Sequence, residues 1–396
     1  MTNENIYKKN RGKLADILPE SLIVIPAFSR MQHSNDGAAA FLQESNFLWL
    51  TGLREPNWLV VIDTKKHKSF LVAPNKNDYV DIFDGTISYE DVRQKSGVEE
   101  FLSKVDLGSK IKSFSGEVYT ILPKESDYFT TTNVYSECKN IIESNGKKSN
   151  DATLYLSKLR AIKQDYEIEA IKKAIKLTTE SFERIKSNID AYNTEYEIEA
   201  EFGYDFRRQN AQHAYDPIVA SGKNALTLHY MSNSEKLTKN SFVLIDIGAR
   251  VDDYVADITR TYVYGEVGQS DLEIYQKLTE SQRKIIDLIK PGFGVKDYIE
   301  QSDKIMMQCL YDLRLISNDS DYEQYRKIMP HAISHGMGLD VHDSLGAPEF
   351  FEPGMVLTVE PGIYLKDKNI GMRVEDDILV GKDGAENLSV SLSTQC

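Results

Sequence analysis

Cysteine is scarce in this chain of 396 residues: Cys138, Cys309 and Cys396 are few, odd in number and scattered. Such usage excludes a disulfide framework and any CxxC redox or zinc site, and it points to a reducing, cytoplasmic compartment. Long hydrophobic runs are missing too, since none approaches the ~20 residues that a bilayer span requires. The first residues, Met1-Thr-Asn-Glu-Asn-Ile-Tyr-Lys-Lys9, lack the apolar stretch of a secretory signal. Positive charge is in short supply. With 47 Lys and Arg against 61 Asp and Glu, the formal net charge is −14, which argues against nucleic acid or an anionic membrane as partner.

The rest of the composition, 41% hydrophobic and 27% charged, is that of an ordinary globular protein. Its length exceeds one ordinary core, so two domains are expected, 1–152 and 153–396. In the first, Ser21-Leu-Ile-Val-Ile-Pro26, Trp58-Leu-Val-Val-Ile-Asp63 and Ser69-Phe-Leu-Val-Ala73 are short apolar runs bounded by turn residues, the pattern of buried strands in a small α/β unit. Trp49 and Trp58 are read as core packing. Asn145-Gly-Lys-Lys-Ser-Asn150 reads as a polar linker. Beyond it, Ile168, Ile171, Ile175, Phe182, Ile185 and Ile189 recur at helical spacing. Thr194-Glu-Tyr-Glu197 has the capping-box form and predicts a helix carrying Ile198, Phe202 and Phe206. Ser270-Asp-Leu-Glu273 predicts a further helix, closed by Pro291-Gly292.

The chemistry lies in the last 150 or so residues, where acids sit on or beside apolar strands. Asp246 lies in Phe242-Val-Leu-Ile-Asp-Ile-Gly-Ala249, and Asp257 in Tyr254-Val-Ala-Asp-Ile-Thr-Arg-Thr261. Glu360 lies in Val356-Leu-Thr-Val-Glu-Pro-Gly-Ile-Tyr364, and Glu375 in Met372-Arg-Val-Glu-Asp-Asp-Ile-Leu379. His335 falls in His331-Ala-Ile-Ser-His-Gly-Met-Gly-Leu-Asp-Val-His342. Ionised carboxylates are costly to bury unless something cationic neutralises them. Pairing with Lys or Arg is one solution. Two divalent cations held by four acids and one imidazole are the other, and they read as a two-metal hydrolase. Such a donor set suits manganese, with cobalt or zinc able to substitute.

These residues, in this order and wording, resemble the pita-bread metallopeptidases, in the Xaa-Pro aminopeptidase (aminopeptidase P) and prolidase branch. The pieces that carry the resemblance are Ile245-Asp-Ile-Gly248 with Asp257-Ile-Thr-Arg-Thr261, the His331/His335/His342 run, Val359-Glu-Pro-Gly362 and Arg373-Val-Glu-Asp-Asp377. Phe47-Leu-Trp-Leu-Thr-Gly52 followed by Glu55-Pro56 resembles that branch's N-terminal domain, with a departure at Leu42, where an arginine is usual. The resemblance implies an α+β chain: a small N-terminal α/β domain, then a C-terminal pita-bread domain with a curved, mainly antiparallel sheet under helices.

It further implies that Asp246 chelates one ion, Asp257 and Glu375 bridge both, and His335 and Glu360 complete the second, around a bridging hydroxide. Glu360 would also shuttle a proton, His229 and His342 would stabilise the tetrahedral intermediate, and His331 would line the pocket. Arg373 would orient a metal carboxylate, and Thr259 would touch a metal or an acidic ligand. Tyr254 could line the pocket, although a strand tyrosine is usually packing, and His33, His67 and His213 carry no functional reading. The implied substrates are peptides with proline second, cut after the first residue, by a homodimer or homotetramer. Prolidase, cleaving only Xaa-Pro dipeptides, is the alternative; Ser334 resembles the aminopeptidase wording rather than the glycine common in prolidases. Methionine aminopeptidase would not need the N-terminal domain. A peptide-binding scaffold is the non-enzymatic alternative, and loss of ligands is its mark.

Overall fold

The computed structural model describes residues 3–75, 78–124, 126 and 132–396, which fall into two compact units, 1–159 and 160–396. Met1 and Thr2, with which the N-terminal reading begins, lie outside the described residues.

In the first unit the apolar runs form the strands Ser21–Pro26, Leu59–Asp63 and Lys68–Val72. They sit inside a six-stranded mixed sheet in the order Glu100–Leu102, Lys68–Val72, Leu59–Asp63, Ser21–Pro26, Glu117–Thr120, Ser149–Asp151. All six residues of Ser21–Pro26 are buried, as continuous apolar runs in central strands predict. Trp49 and Trp58 are both buried, in agreement with a packing role. The linker reading of 145–150 is corrected. Asn145 caps the helix Val134–Ser144, and Ser149–Asp151 pairs with Glu117–Thr120 as a sheet edge, so backbone pairing overrides the polar composition.

In the second unit the helix Asp165–Lys186 buries Ile171, Ile175, Phe182 and Ile185, while Ile189 falls in the short turn Ile189–Ala191. The helix Glu195–Arg208 buries Ile198, Phe202 and Phe206, and Glu197 reaches back to accept from the Asn193 and Thr194 amides. The third helix differs from expectation. It runs Gln269–Ile286 from an N-cap at Gly268, which puts Ser270 inside the first turn, and it stops five residues short of Pro291. Leu278 and Ile285 from it, and Met306 and Leu310 from the helix Val295–Asp312, share one core with strand residues Leu357, Val359, Met372 and Ile378.

Strand pairing here is antiparallel throughout. Ser241–Asp246 runs between Ile218–Ser221 and Thr259–Tyr264, with both Ile218 and Thr259 opposite Asp246. Val356–Val359 pairs with Asp376–Val380, and Gly362–Leu365 forms a hairpin with Ile370–Arg373. A second, smaller hairpin, Ala249–Val251 with Tyr254–Val255, turns at Asp252 and Asp253, both at positive φ. This hairpin separates Asp246 from Asp257. Gly248 makes the crossing possible, since a Cβ there would stand 1.7 Å from the Ala256 carbonyl oxygen.

Candidate metal centre

The four acids lie where regular pairing stops. Asp246 is the last residue of its strand and Asp257 precedes Thr259–Tyr264 by two. Glu360 follows Val356–Val359, and Glu375 fills the break between Ile370–Arg373 and Asp376–Val380. A break frees backbone groups, and here they stitch the acids together. The Glu375 amide donates to the Thr259 carbonyl at 3.0 Å, and the Asp257 amide to Asp377 Oδ2 at 3.1 Å.

The side chains converge. Donor atoms of Asp257, His335 and Glu375 all lie within 4.8 Å of one another. His335 Nε2 stands 3.5 Å from Asp257 Oδ2 and 3.4 Å from Glu360 Oε1. Its Nδ1 faces the Gly336 carbonyl at 3.1 Å, so Nδ1 carries the proton and the Nε2 lone pair points at the acids. Asp246 accepts from the Tyr215 hydroxyl at 2.6 Å and from Arg373. Thr259 Oγ1 donates to Glu375 Oε2 at 2.6 Å. His331 Nε2 meets the Tyr364 hydroxyl at 3.0 Å, its Nδ1 is 3.6 Å from Glu360 Oε2, and Tyr364 accepts from Arg373 Nη1 at 2.8 Å.

One cavity of about 620 Å³ is lined by all nine residues singled out from sequence as ligands or catalytic groups: His229, Asp246, Asp257, His331, His335, His342, Glu360, Arg373 and Glu375. Tyr254 follows the packing alternative and not the pocket one. It is buried away from the cavity, and its hydroxyl donates to Glu167 Oε1 at 2.8 Å. Sequence reasoning gave no role to Tyr215, Tyr364 or Asp377. Tyr364 and Asp377 stand inside the recognised strings; Tyr215 carries no signal at all.

Charge is unbalanced in this cavity, where five carboxylates, Asp216 and the four acids above, face one arginine. Burial first, then the neighbouring acids, push Asp257 and Glu375 well above the carboxylate range. Burial raises Glu360 to about 8, with Arg373 pulling the other way. Burial also lowers His331 and His335 to about 4, helped by Arg373 and His342 respectively. Acids raised in this way beside imidazoles lowered in this way fit divalent cations, which would ionise those acids and accept the imidazole lone pair. The residues therefore fit the metals that the donor chemistry predicts.

Residues 169–382 match metallopeptidase family M24, and residues 7–121 match the aminopeptidase P N-terminal domain. The chain belongs to the M24 metallopeptidases. It is 29% identical to the Xaa-Pro aminopeptidase of Haemophilus influenzae, over 99% of this chain and 95% of that protein. It is 31% identical to Xaa-Pro aminopeptidase 3 of Mus musculus, over 90% of this chain and 75% of that protein. Among solved structures, the proline aminopeptidase P II of Yersinia pestis superposes with a TM-score of 0.86 at 27% identity, covering 99% of this chain and 97% of that one. As an M24 member with this N-terminal domain, the chain has the pita-bread fold in its second unit.

Proposed function

We infer that this chain is a metal-dependent Xaa-Pro aminopeptidase, a hydrolase that releases the first residue of a peptide whose second residue is proline. The observation that carries the reading is the buried group of four carboxylates around His335, with Arg373 as the one guanidinium among the cavity-lining residues. Asp246, Asp257, His335, Glu360 and Glu375 would hold two divalent cations, manganese in this reading, with cobalt or zinc able to replace it. Such ions supply Lewis acidity toward the scissile carbonyl and bring the pKa of water near neutrality.

The protein's own groups do the rest. Glu360 takes a proton from the attacking water and returns it to the proline nitrogen as that nitrogen leaves. His229 and His342, at the cavity wall, hydrogen-bond the tetrahedral intermediate. Arg373 holds Asp246 in place, and Thr259 holds Glu375. His331, tied to Tyr364, closes the wall beside Glu360. Proline shapes the substrate end: its nitrogen offers no N–H, and its ring fixes φ, so a fitted site gains from a ligand already held in the bound conformation.

In this reading the enzyme works in the cytoplasm as a homodimer or homotetramer. The free thiols of Cys138, Cys309 and Cys396 support a reducing compartment, and no helix among the described residues is long and apolar enough to cross a membrane. The assembly rests on the family resemblance.

A panel of Ala-Pro, Ala-Pro-Ala and Ala-Ala-Ala, each assayed with added Mn²⁺, tests the assignment. Ala-Pro-Ala should be cut after its first residue with much the highest kcat/KM. Cleavage of Ala-Pro alone would make the enzyme a prolidase, and equal values for the two tripeptides would remove proline specificity.

A further inference from the structure

Lys163 is buried, and nothing in the reaction described above uses it. Its Nζ has no hydrogen-bond partner among the described residues, and its ion-pair partner, Asp343 Oδ2, stands 3.9 Å away. Arg160, also buried, reaches the same acid: Nη2 lies 3.1 Å from Asp343 Oδ1 and 2.7 Å from Asp340 Oδ2. Two buried cations thus hold one buried carboxylate, and that carboxylate belongs to the residue next to His342.

Asp343 closes a loop that begins beside His335. Its amide donates to the Gly336 carbonyl at 2.8 Å, and the Gly338 amide donates to the Asp340 carbonyl at 3.0 Å. The loop lies directly on the lysine. A Cβ at Gly338 would come 2.6 Å from Asp343 Oδ2 and 2.9 Å from Lys163 Cε, and one at Gly336 would come 2.4 Å from the Asp343 carbonyl oxygen. From its two ends the loop presents His335 and His342 with their rings 4.2 Å apart. Lys163 is itself anchored, because its amide donates to the Gly354 carbonyl at 2.9 Å.

We propose that Lys163, together with Arg160, is a positioning residue: by clamping Asp343 it fixes the Gly336–Asp343 loop and so holds the His342 imidazole over the cavity beside His335. The proposal rests on the role given to His342 above. It assigns the buried amine to geometry rather than to stability. A buried ammonium without hydrogen bonds is costly to desolvate, and Arg160 still pairs Asp343 once the amine is removed, so the acid is not left as an uncompensated buried charge. Stability and turnover should therefore move apart when the amine is removed.

The test is a double-mutant cycle on the metal-loaded full chain, with Ala-Pro-Ala as substrate. Lys163→Met should leave the melting temperature unchanged or raised and the bound metal unchanged, while kcat falls about 10- to 100-fold with little change in KM. In a His342→Ala background the same substitution should change kcat by no more than about twofold, because the group it positions is gone. An equal fold loss in both backgrounds, or an undiminished kcat in the single variant, overturns the clamp. Full activity of His342→Ala alone overturns the role of His342 and the clamp with it. Should Lys163→Met fail to fold, Asp343→Asn, which keeps the shape and removes the charge, takes its place in the same cycle with the same outcomes.

Discussion

Arg373 meets Asp246 across 127 positions of chain, its Nη2 against Oδ2 of the acid. The same guanidinium donates through Nε to Thr259 Oγ1 at 3.1 Å and through Nη1 to the Tyr364 hydroxyl at 2.8 Å. One planar cation therefore sets the positions of a proposed metal ligand, of the threonine that holds Glu375, and of the tyrosine that holds His331. Three directed contacts from one flat group cannot be reproduced by a point charge.

Arg373→Lys should accordingly fail to rescue what Arg373→Met loses. Both variants are expected to lower kcat/KM by about 10- to 100-fold, the usual cost of removing a group that orients a metal ligand. Steady-state kinetics on Ala-Pro-Ala check this. Near-normal activity in the lysine variant would reduce the role of Arg373 to charge alone.

Chelation should abolish hydrolysis, and added Mn²⁺ should restore it. The metal-free protein should also respond to pH in a specific direction. Glu360 has its folded pKa raised to about 8, so its contribution to stability is full at low pH and is lost as pH rises toward 8. His331 and His335 have theirs lowered to about 4, so their contribution is full above the ordinary value of 6.5 and is lost only as pH falls. The two effects oppose each other below 6.5. Between pH 6.5 and 8 only the raised acids remain, Glu360 together with Asp257 and Glu375, and thermal unfolding of chelated protein should shift to lower temperature across that window. Metal-loaded protein, with the acids ionised and neutralised, should show a flatter profile.

Substitutions should separate ligands from helpers. Asp257→Ala or Glu375→Ala is expected to lose both bound metal and turnover. His229→Ala or His342→Ala should keep the metal and lose kcat, because these side chains act on the intermediate. Metal content and kinetics, measured on the same preparations, distinguish the classes. Loss of metal from the His229 variant would move that residue into the ligand set.

Gly248→Ala should destabilise the protein by about 3 kcal/mol or more, since a methyl group there would meet the Ala256 carbonyl oxygen and force the backbone apart. The displaced segment joins Asp246 to Asp257, so metal affinity should fall along with the melting temperature. A stable, fully metallated alanine variant would show that the crossing has slack.

The acids were legible in the sequence because charged residues inside apolar strands demand a physical explanation, and Asp246, Asp257, Glu360 and Glu375 all reach one cavity. Their supports were legible only where they shared a strand face with a ligand, as Thr259 and Arg373 do. Tyr215 could not be read. It stands 31 positions from the Asp246 it contacts, in a stretch with no periodicity and no motif. For Tyr254 the sequence left pocket and packing open, and the small hairpin decides for packing by turning its hydroxyl toward Glu167. The polar stretch at 145–150 failed as a linker because a strand edge needs only free backbone groups, and Ser149–Asp151 supplies them whatever its side chains.

The stitching of Glu375 to Thr259 and of Asp257 to Asp377 sets an order on the life of the chain. Residues more than a hundred positions apart must close on each other before these donors exist as a group. A nascent polypeptide still holding Glu375 in the ribosome has no such site, however well its earlier segments have folded. In the proposed metal reading, capture of the ions would follow closure of these segments, and a copy lacking Glu375 would lack one of the proposed ligands.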